Sequence, residues 1–316
     1  MKNFLTRLLI FLAPIAIGLY PLDLALSHLY KQTRRYPGEI EVWNDIYNGQ
    51  AQCEVAVYGS SRAWVQIDSQ ILMDTLGLSV YNFGMDGHNF WMQYMRHLEF
   101  VKHNPWPKHI VLSVDVFSLE KRKGLYQMNQ FLPYLLWNTQ MKNFVDDCEG
   151  FKQCDYLIPL VRYAGKSRVL EQVQENMSSD TIAAPYRHRG YKGMQRAWSD
   201  EFAQASEKRQ AIELEINQEA KDLMRRFIEE CATHQTQLHL VYCPEHTLGQ
   251  SFVSNRSEIF EIFQSFADAY NIHFTDYSTM SICTDTSYFY NASHLNIKGS
   301  QLFSTQLAMD LKSRMR

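Results

Sequence analysis

Four short stretches of this chain carry residues suited to acyl chemistry, and each follows or contains a short apolar run. Tyr58-Gly59-Ser60-Ser61-Arg62-Ala63 offers serine hydroxyls on a glycine turn, where small neighbours let a reacting carbonyl approach. Asn82-Phe83-Gly84-Met85-Asp86-Gly87-His88-Asn89 sets two glycines ahead of a helical pattern, able to turn backbone N–H groups toward an anion. Ser113-Val114-Asp115 ends a third run, and Tyr290-Asn291-Ala292-Ser293-His294-Leu295-Asn296 precedes the last helical pattern. A serine hydroxyl is a poor nucleophile at its own pKa and needs a base, usually histidine, to take its proton. His294 is the best-placed imidazole for that task.

Those stretches meet only if the runs before them are neighbouring strands. Glu54 to Tyr58, Ser79 to Phe83, His109 to Val114, Gln237 to Tyr242 and Asn271 to Thr275 are short, rich in Val, Ile and aromatics, and bounded by turn residues. Between them, Asp68 to Leu76, Phe90 to Lys102, Ser206 to Cys231 and Ser257 to Tyr270 carry apolar residues at helical spacing, and Ile297 to Met315 closes the chain the same way. Such alternation predicts a parallel sheet covered on both faces, a three-layer α/β/α sandwich, with ligands at the carboxyl ends of the strands. The gap from Phe117 to Gln237 is too long for one crossover and implies an insertion at about residues 118–205. Its aromatics, Phe131, Tyr134, Trp137 and Phe144, and its basic stretch, Arg187, Arg189, Tyr191 and Trp198, suggest a helical lid fitted to sugar rings and anionic glycans. The alternative is that these aromatics pack the insertion's own core.

Composition narrows the classes. Thirty-one Lys and Arg against 34 Asp and Glu give a net charge of −3, so the basic footprint of a nucleic-acid binder is absent. A hydrophobic fraction of 46% with mean hydropathy −0.33 excludes a polytopic membrane protein. At the start, Lys2 and Arg7 precede an uncharged run from Leu8 to Leu22; Asp23 interrupts, and Leu24 to Leu29 lead to Lys31, Arg34 and Arg35. Its length suits a transmembrane helix. The expectation is an uncleaved membrane anchor over residues 1–30, a linker over 31–52 and a body over 53–316, placed in the periplasm or outside the cell. A cleaved signal peptide or an interfacial helix is the alternative, and charge alone leaves the orientation open. Of six cysteines, Cys148 and Cys154 are spaced to bridge, whereas Cys53, Cys243 and Cys283 read as buried hydrophobes; no paired ligand spacing suggests a metal.

The ordered blocks resemble the SGNH (GDSL-like) hydrolase and acyltransferase superfamily, over roughly Glu54 to Asp115 and Gln237 to Arg314. The resemblance implies a five-stranded flavodoxin-like sheet. It makes Ser61 in Gly59-Ser60-Ser61 the nucleophile and Gly87 an oxyanion donor through its backbone. It also makes His294 the base and puts Asn291 in the orienting place of the Asp-x-x-His block. Arg62, Asp86, His88, Asn89 and Asp115 are candidate substrate contacts, with an ion pair to Asp86 or Asp115 as the alternative for Arg62; Tyr242 to His246 should border the same crevice, and no cofactor or metal is needed.

Two positions depart from the pattern. Asp115 stands where the superfamily has an oxyanion-holding Asn, and an ionised carboxylate only accepts hydrogen bonds. Either Asp115 orients the loops, the reading favoured here, or Asn82 or Asn89 supplies the donor. Asn291 replaces an Asp, which leaves a Ser-His dyad, a slow enzyme, or substitution by Asp285 open. With its apolar start the chain further resembles membrane-anchored bacterial cell-surface polysaccharide proteins. That implies ester hydrolysis or O-acyl transfer on an envelope glycan, with a membrane-bound acyltransferase as a conceivable partner. The alternative is a non-catalytic glycan-binding or accessory protein of such a system.

Overall fold

Runs of β-branched and aromatic residues between turn formers make strands, and the chain forms a strand at each of the five expected places. A computed structural model describes residues 2–33, 38–178, 184–199 and 211–315. Its elements begin α1 (Lys2–Tyr30), α2 (Glu39–Tyr47), β1 (Val55–Tyr58), α3 (Ser61–Gln66), α4 (Ser69–Leu76), β2 (Val80–Asn82), α5 (Phe90–His103) and β3 (His109–Val114). The helices α6 (Leu132–Leu135), α7 (Thr139–Val145), α8 (Gln153–Leu157) and α9 (Ser167–Ser178) follow. Then come α10 (Gln218–Thr233), β4 (Gln237–Tyr242), α11 (Thr247–Gln250), α12 (Arg256–Tyr270), β5 (His273–Asp276), β6 (Phe289–Asn291), β7 (His294–Leu295) and α13 (Ile297–Arg314).

The main sheet has the order β2-β1-β3-β4-β5, every neighbouring pair parallel. Strand order reverses between β1 and β3, so the crevice of this fold opens beyond Tyr58 and Val114. Alternation along the strands sends Val55, Val57, Val111 and Val241 to one face, where they form a core with Leu72 of α4 and Phe303, Leu307 and Leu311 of α13. On the other face Tyr58 meets Phe227 of α10 edge-on, and Tyr242 packs on Phe260 of α12. Two helical layers therefore enclose the sheet.

The chain divides into two units, Met1–Asn44 with Lys123–Pro185, and Asp45–Arg122 with Tyr186–Arg316; the sheet lies wholly in the second. The first is helical, with a core of Tyr30, Leu132, Tyr163, Val169 and Val173. Phe131 and Tyr134 are buried in that unit against Trp43, so these aromatics pack its interior. The expected linker contains α2, whose Ile40, Trp43 and Ile46 recur at helical spacing and are fully buried.

The expected transmembrane helix over residues 1–30 is not supported: among the described residues no helix is long and apolar enough to cross a membrane. The far end of α1 is built into the helical unit. Asp23 is fully buried and takes both guanidinium nitrogens of Arg162 at 2.6 Å, while Ser27 Oγ lies 2.8 Å from Tyr163 Oη. Arg34 and Arg35, which flank that stretch, lie outside the described residues.

The helix expected over Ser206–Cys231 begins only at Gln218. Residues 206–210 lie outside the described residues, as do 200–205 of the expected insertion. In the remainder, Ile212, Leu214 and Ile216 alternate with glutamates, a strand period rather than a helical one, and Ile212 bridges to Val253. Asn217 then caps α10 by accepting from Ala220 N at 3.1 Å. All six cysteines are free thiols, Cys148 and Cys154 included.

Candidate active site

The crevice end of β1 is shaped by Gly59. Its φ is +152°, and a Cβ there would fall 2.7 Å from Ala63 Cβ and 2.8 Å from Ser113 Cβ, so no side chain fits. Ser60 is fully buried and caps α3 by accepting from Arg62 N at 3.2 Å. Ser61, the first residue of α3, is thereby held at the mouth of the crevice, half-buried.

The hairpin of β6 and β7 carries His294 back to the same helix. Gln66 at the end of α3 donates from Nε2 to Ser293 O at 2.9 Å, and His246 N donates to Ala292 O at 2.9 Å. The helix that presents Ser61 thus also grips the turn that presents His294. Ser300 and Ser304 of α13 close the arrangement by donating to Gln66 O, each at 3.0 Å.

Ser61 Oγ lies 2.8 Å from His294 Nε2, and His294 Nδ1 lies 3.0 Å from Asn291 Oδ1. Ser293 N donates to the same Oδ1 at 3.0 Å, which identifies that atom as oxygen, because an amide nitrogen cannot accept from a backbone N–H. Nδ1 therefore carries the imidazole proton and Nε2 is left to accept from Ser61. Burial, aided by the charge of Arg62, lowers the His294 pKa to about 3, so the ring is neutral at pH 7. Tyr290 stacks on it, with ring centroids 5.3 Å apart and planes 10° from parallel. Asp285 is exposed and accepts from Ser287 N at 2.8 Å; Asn291 is the residue bonded to the imidazole.

Several expected substrate contacts are turned inward instead. Arg62 is buried, with Nη1 3.0 Å from Asp115 Oδ1 and 3.6 Å from Glu245 Oε2, Nη2 on Cys243 O, and the guanidinium 4.4 Å from the centre of the Tyr242 ring. Asp115 is fully buried; burial raises its carboxyl pKa while the Arg62 charge opposes that. Its backbone N–H donates to Ser118 Oγ at 2.8 Å, in keeping with a loop-orienting role. His88 is buried, and Asn89 is buried with its amide donating to Glu120 O. Asp86 is half-buried at the turn, where its charge acts on Tyr290.

The amide of Asn82 donates to Ala63 O and Ile67 O at 2.9 Å each and accepts from Gly84 N, so neither Asn82 nor Asn89 aims a donor at an oxyanion. Gly87 is exposed at φ +69° in the turn Met85–His88, on the side chain-free backbone that the sequence singles out. Among the described residues no group of three or more His, Cys, Asp or Glu stands close enough to hold a metal ion. Sequence reasoning missed two features. The stacking of Tyr290 four residues before His294 depends on the hairpin, and although Tyr242 and Glu245 are expected to border the crevice, their closure on Arg62 spans about 180 residues of chain. Neither leaves a local pattern.

No family model matches the chain, and no curated protein matches it. Among solved structures it is similar to the psychrotrophic esterase EstA from a Pseudoalteromonas species, at 10% identity over 83% of this chain and 98% of that one, with a TM-score of 0.40. It is likewise similar to the acetyl xylan esterase AlAXEase, at 10% identity over 83% and 100% of the two chains and a TM-score of 0.41. A GDSL-like lipase from Bacteroides thetaiotaomicron VPI-5482 is 9% identical over 88% and 100%, with a TM-score of 0.38. At these values the likeness assigns no residue a role.

Proposed function

We propose that the protein is a serine esterase or O-acyltransferase of the SGNH type. The observation that carries this reading is the 2.8 Å contact of Ser61 Oγ with an imidazole nitrogen whose partner nitrogen is bonded to Asn291. Ser61 Oγ attacks an ester carbonyl while its proton passes to His294 Nε2, and the backbone N–H groups of Ser61 and Gly87 hold the oxyanion. Collapse expels the alcohol, which takes the proton back from His294, and leaves an acyl ester on Ser61. Water deprotonated by His294 then releases the acid, or a sugar hydroxyl takes the acyl group in its place.

Asn291 is neutral, so the imidazolium formed in each step lacks a balancing carboxylate and faces the Arg62 charge. In a serine protease the same exchange of Asp for Asn lowers kcat by about 10⁴ through the wrong histidine tautomer; here Ser293 N holds the amide oxygen on Nδ1, so the tautomer is the productive one and what is lost is the counter-charge alone. The proposed enzyme is accordingly slow. An ester on a cell-envelope glycan is the proposed substrate, supported by the resemblance to polysaccharide-associated proteins. The exposed side chains of Phe4, Ile10, Phe11, Ile17 and Leu22 along α1 support association with a membrane surface.

The reading is tested with p-nitrophenyl acetate. Ser61→Ala and His294→Ala each reduce kcat/KM by at least about 10³-fold in proteins with unchanged circular dichroism. Turnover within tenfold of the unaltered protein in Ser61→Ala would return the non-catalytic, glycan-binding reading.

A further inference from the structure

Beside the catalytic hairpin lies a cavity of about 590 Å³ whose walls include Met194, Arg196, Trp198, Ser287, Ile297 and Lys298. One wall is the extended segment before Ser199, fixed by Ile297 N donating to Met194 O at 2.9 Å and by Ser199 N donating to Tyr290 O at 3.0 Å. Another part of the lining is the start of α13, three residues after His294. The guanidinium of Arg196 stands 5.7 Å from the centre of the Tyr290 ring, and that ring stacks on His294. A single aromatic side chain therefore separates Arg196 from the proposed base.

Among the described residues that line the cavity, Arg196 and Lys298 are the charged ones; the charge of Asp86 reaches Tyr290 beside it. Among the described residues neither Arg196 nor Lys298 makes an ion pair, and both are exposed. Asp285, ahead of the hairpin, turns its Oδ1 to Ser287 N. The first amides of α13, Lys298 N and Gly299 N, are already accepted by Asn296 Oδ1, so the attraction comes from the two side chains and not from the helix end. Met194, Trp198 and Ile297 add an apolar surface. Two cations over an apolar floor suit a ring that carries an anionic oxygen group.

We propose that this cavity is a substrate subsite for a carboxylate- or phosphate-bearing sugar ring, so that the ester cleaved at Ser61 lies on or next to an anionic residue. The inference deepens the reading of Ser61 as a serine esterase or acyltransferase and, for turnover, rests on it. Monoacetylated methyl glucoside, methyl glucuronoside and methyl glucoside 6-phosphate are compared as substrates for the full chain. At least one anionic ester is preferred over the neutral one, and which of the two separates carboxylate from phosphate recognition. In the Arg196→Gln/Lys298→Gln variant that preference falls by roughly 10- to 100-fold, mostly through KM, and Arg196→Lys/Lys298→Arg restores much of it.

A preference that is absent, or unchanged in the Gln variant, overturns the subsite. Calorimetric titration of Ser61→Ala with methyl glucuronoside and glucose 6-phosphate reads binding without turnover. Binding that depends on Arg196 and Lys298 in a protein whose parent shows no esterase activity would retain the subsite and remove the catalytic reading.

Discussion

Each unit of the molecule buries an arginine against an aspartate, and the two pairs are built differently. In the helical unit Arg162 meets Asp23 bidentately at 2.6 Å, and the carboxylate also accepts from Leu160 N and from Trp137 Nε1. In the sheet unit Arg62 meets Asp115 through one nitrogen at 3.0 Å and shares itself with Glu245, while among the described residues Arg62 Nε and Asp115 Oδ2 have no hydrogen-bond partner. A buried pair is favourable only when its remaining donors and acceptors are satisfied. The complete pair locks α1 into the helical unit. The incomplete one sits directly behind Ser61, where its charge acts on His294. Local satisfaction is high where the fold must hold and lower beside the proposed chemistry.

The largest effect expected from this contrast is on stability. Asp23→Ala leaves the Arg162 guanidinium buried and unpaired, and costs about 3–5 kcal/mol in urea unfolding. A loss under about 1 kcal/mol would make the two pairs equivalent and remove the distinction.

Acid should come next, and it acts on the sheet unit. Burial lowers His97 and His239 from 6.5 to about 3 and about 4, so the folded chain binds fewer protons than the unfolded one. Their contribution is complete above pH 6.5 and is lost as pH falls toward 4, on the order of 3 kcal/mol for His239. His239→Leu should flatten the stability curve in that window. An equally steep curve in the variant assigns the acid lability elsewhere.

Arg62→Met sharpens the comparison at the site. Asp115, whose pKa burial already raises, can take a proton, so the stability cost is about 2 kcal/mol, smaller than for Asp23→Ala. Burial is the larger and the Arg62 charge the smaller cause of the low His294 pKa, so the acid limb of kcat/KM moves up by part of that shift in the variant. An unmoved limb means that Arg62 acts only as packing.

The smallest effect runs in the favourable direction. Asn291→Asp supplies the missing carboxylate, and kcat/KM at pH 7 rises by about tenfold or more as the imidazolium gains a counter-charge. A decrease, with the Ser61 to His294 distance intact, would show that the amide is required as such.

Much of this arrangement was legible in the sequence, because local patterns encode it. Each strand is a short run ended by a turn signal, and even the late start of β5 follows from Asn271, which ends α12 in the left-handed conformation at φ +52°. His294 is nominated by its place before the last helix, whereas Ser61, rather than Ser60, and Asn291 are nominated by the resemblance of their blocks to the SGNH pattern. The helix before β4 was read too long because apolar content outweighed period: Ile212, Leu214 and Ile216 alternate, and only the Asn217 cap starts the turns. The pairing of Arg62 with Asp115 is one of the alternatives that the sequence offers, whereas the share taken by Glu245 and Tyr242 at the end of β4 leaves no local pattern. The built-in end of α1 was hidden for the same reason, as Asp23 finds Arg162 139 residues away.

The pairing of Ser61 with His294 is tested most directly by intact-protein and peptide mass spectrometry after rapid acid quench of the full chain with p-nitrophenyl acetate. The account predicts one acetyl group, located on Ser61, present in the unaltered protein and absent from Ser61→Ala. Turnover of the ester with no acetyl on Ser61, or the same acetylation level in His294→Ala at equal times, would contradict it.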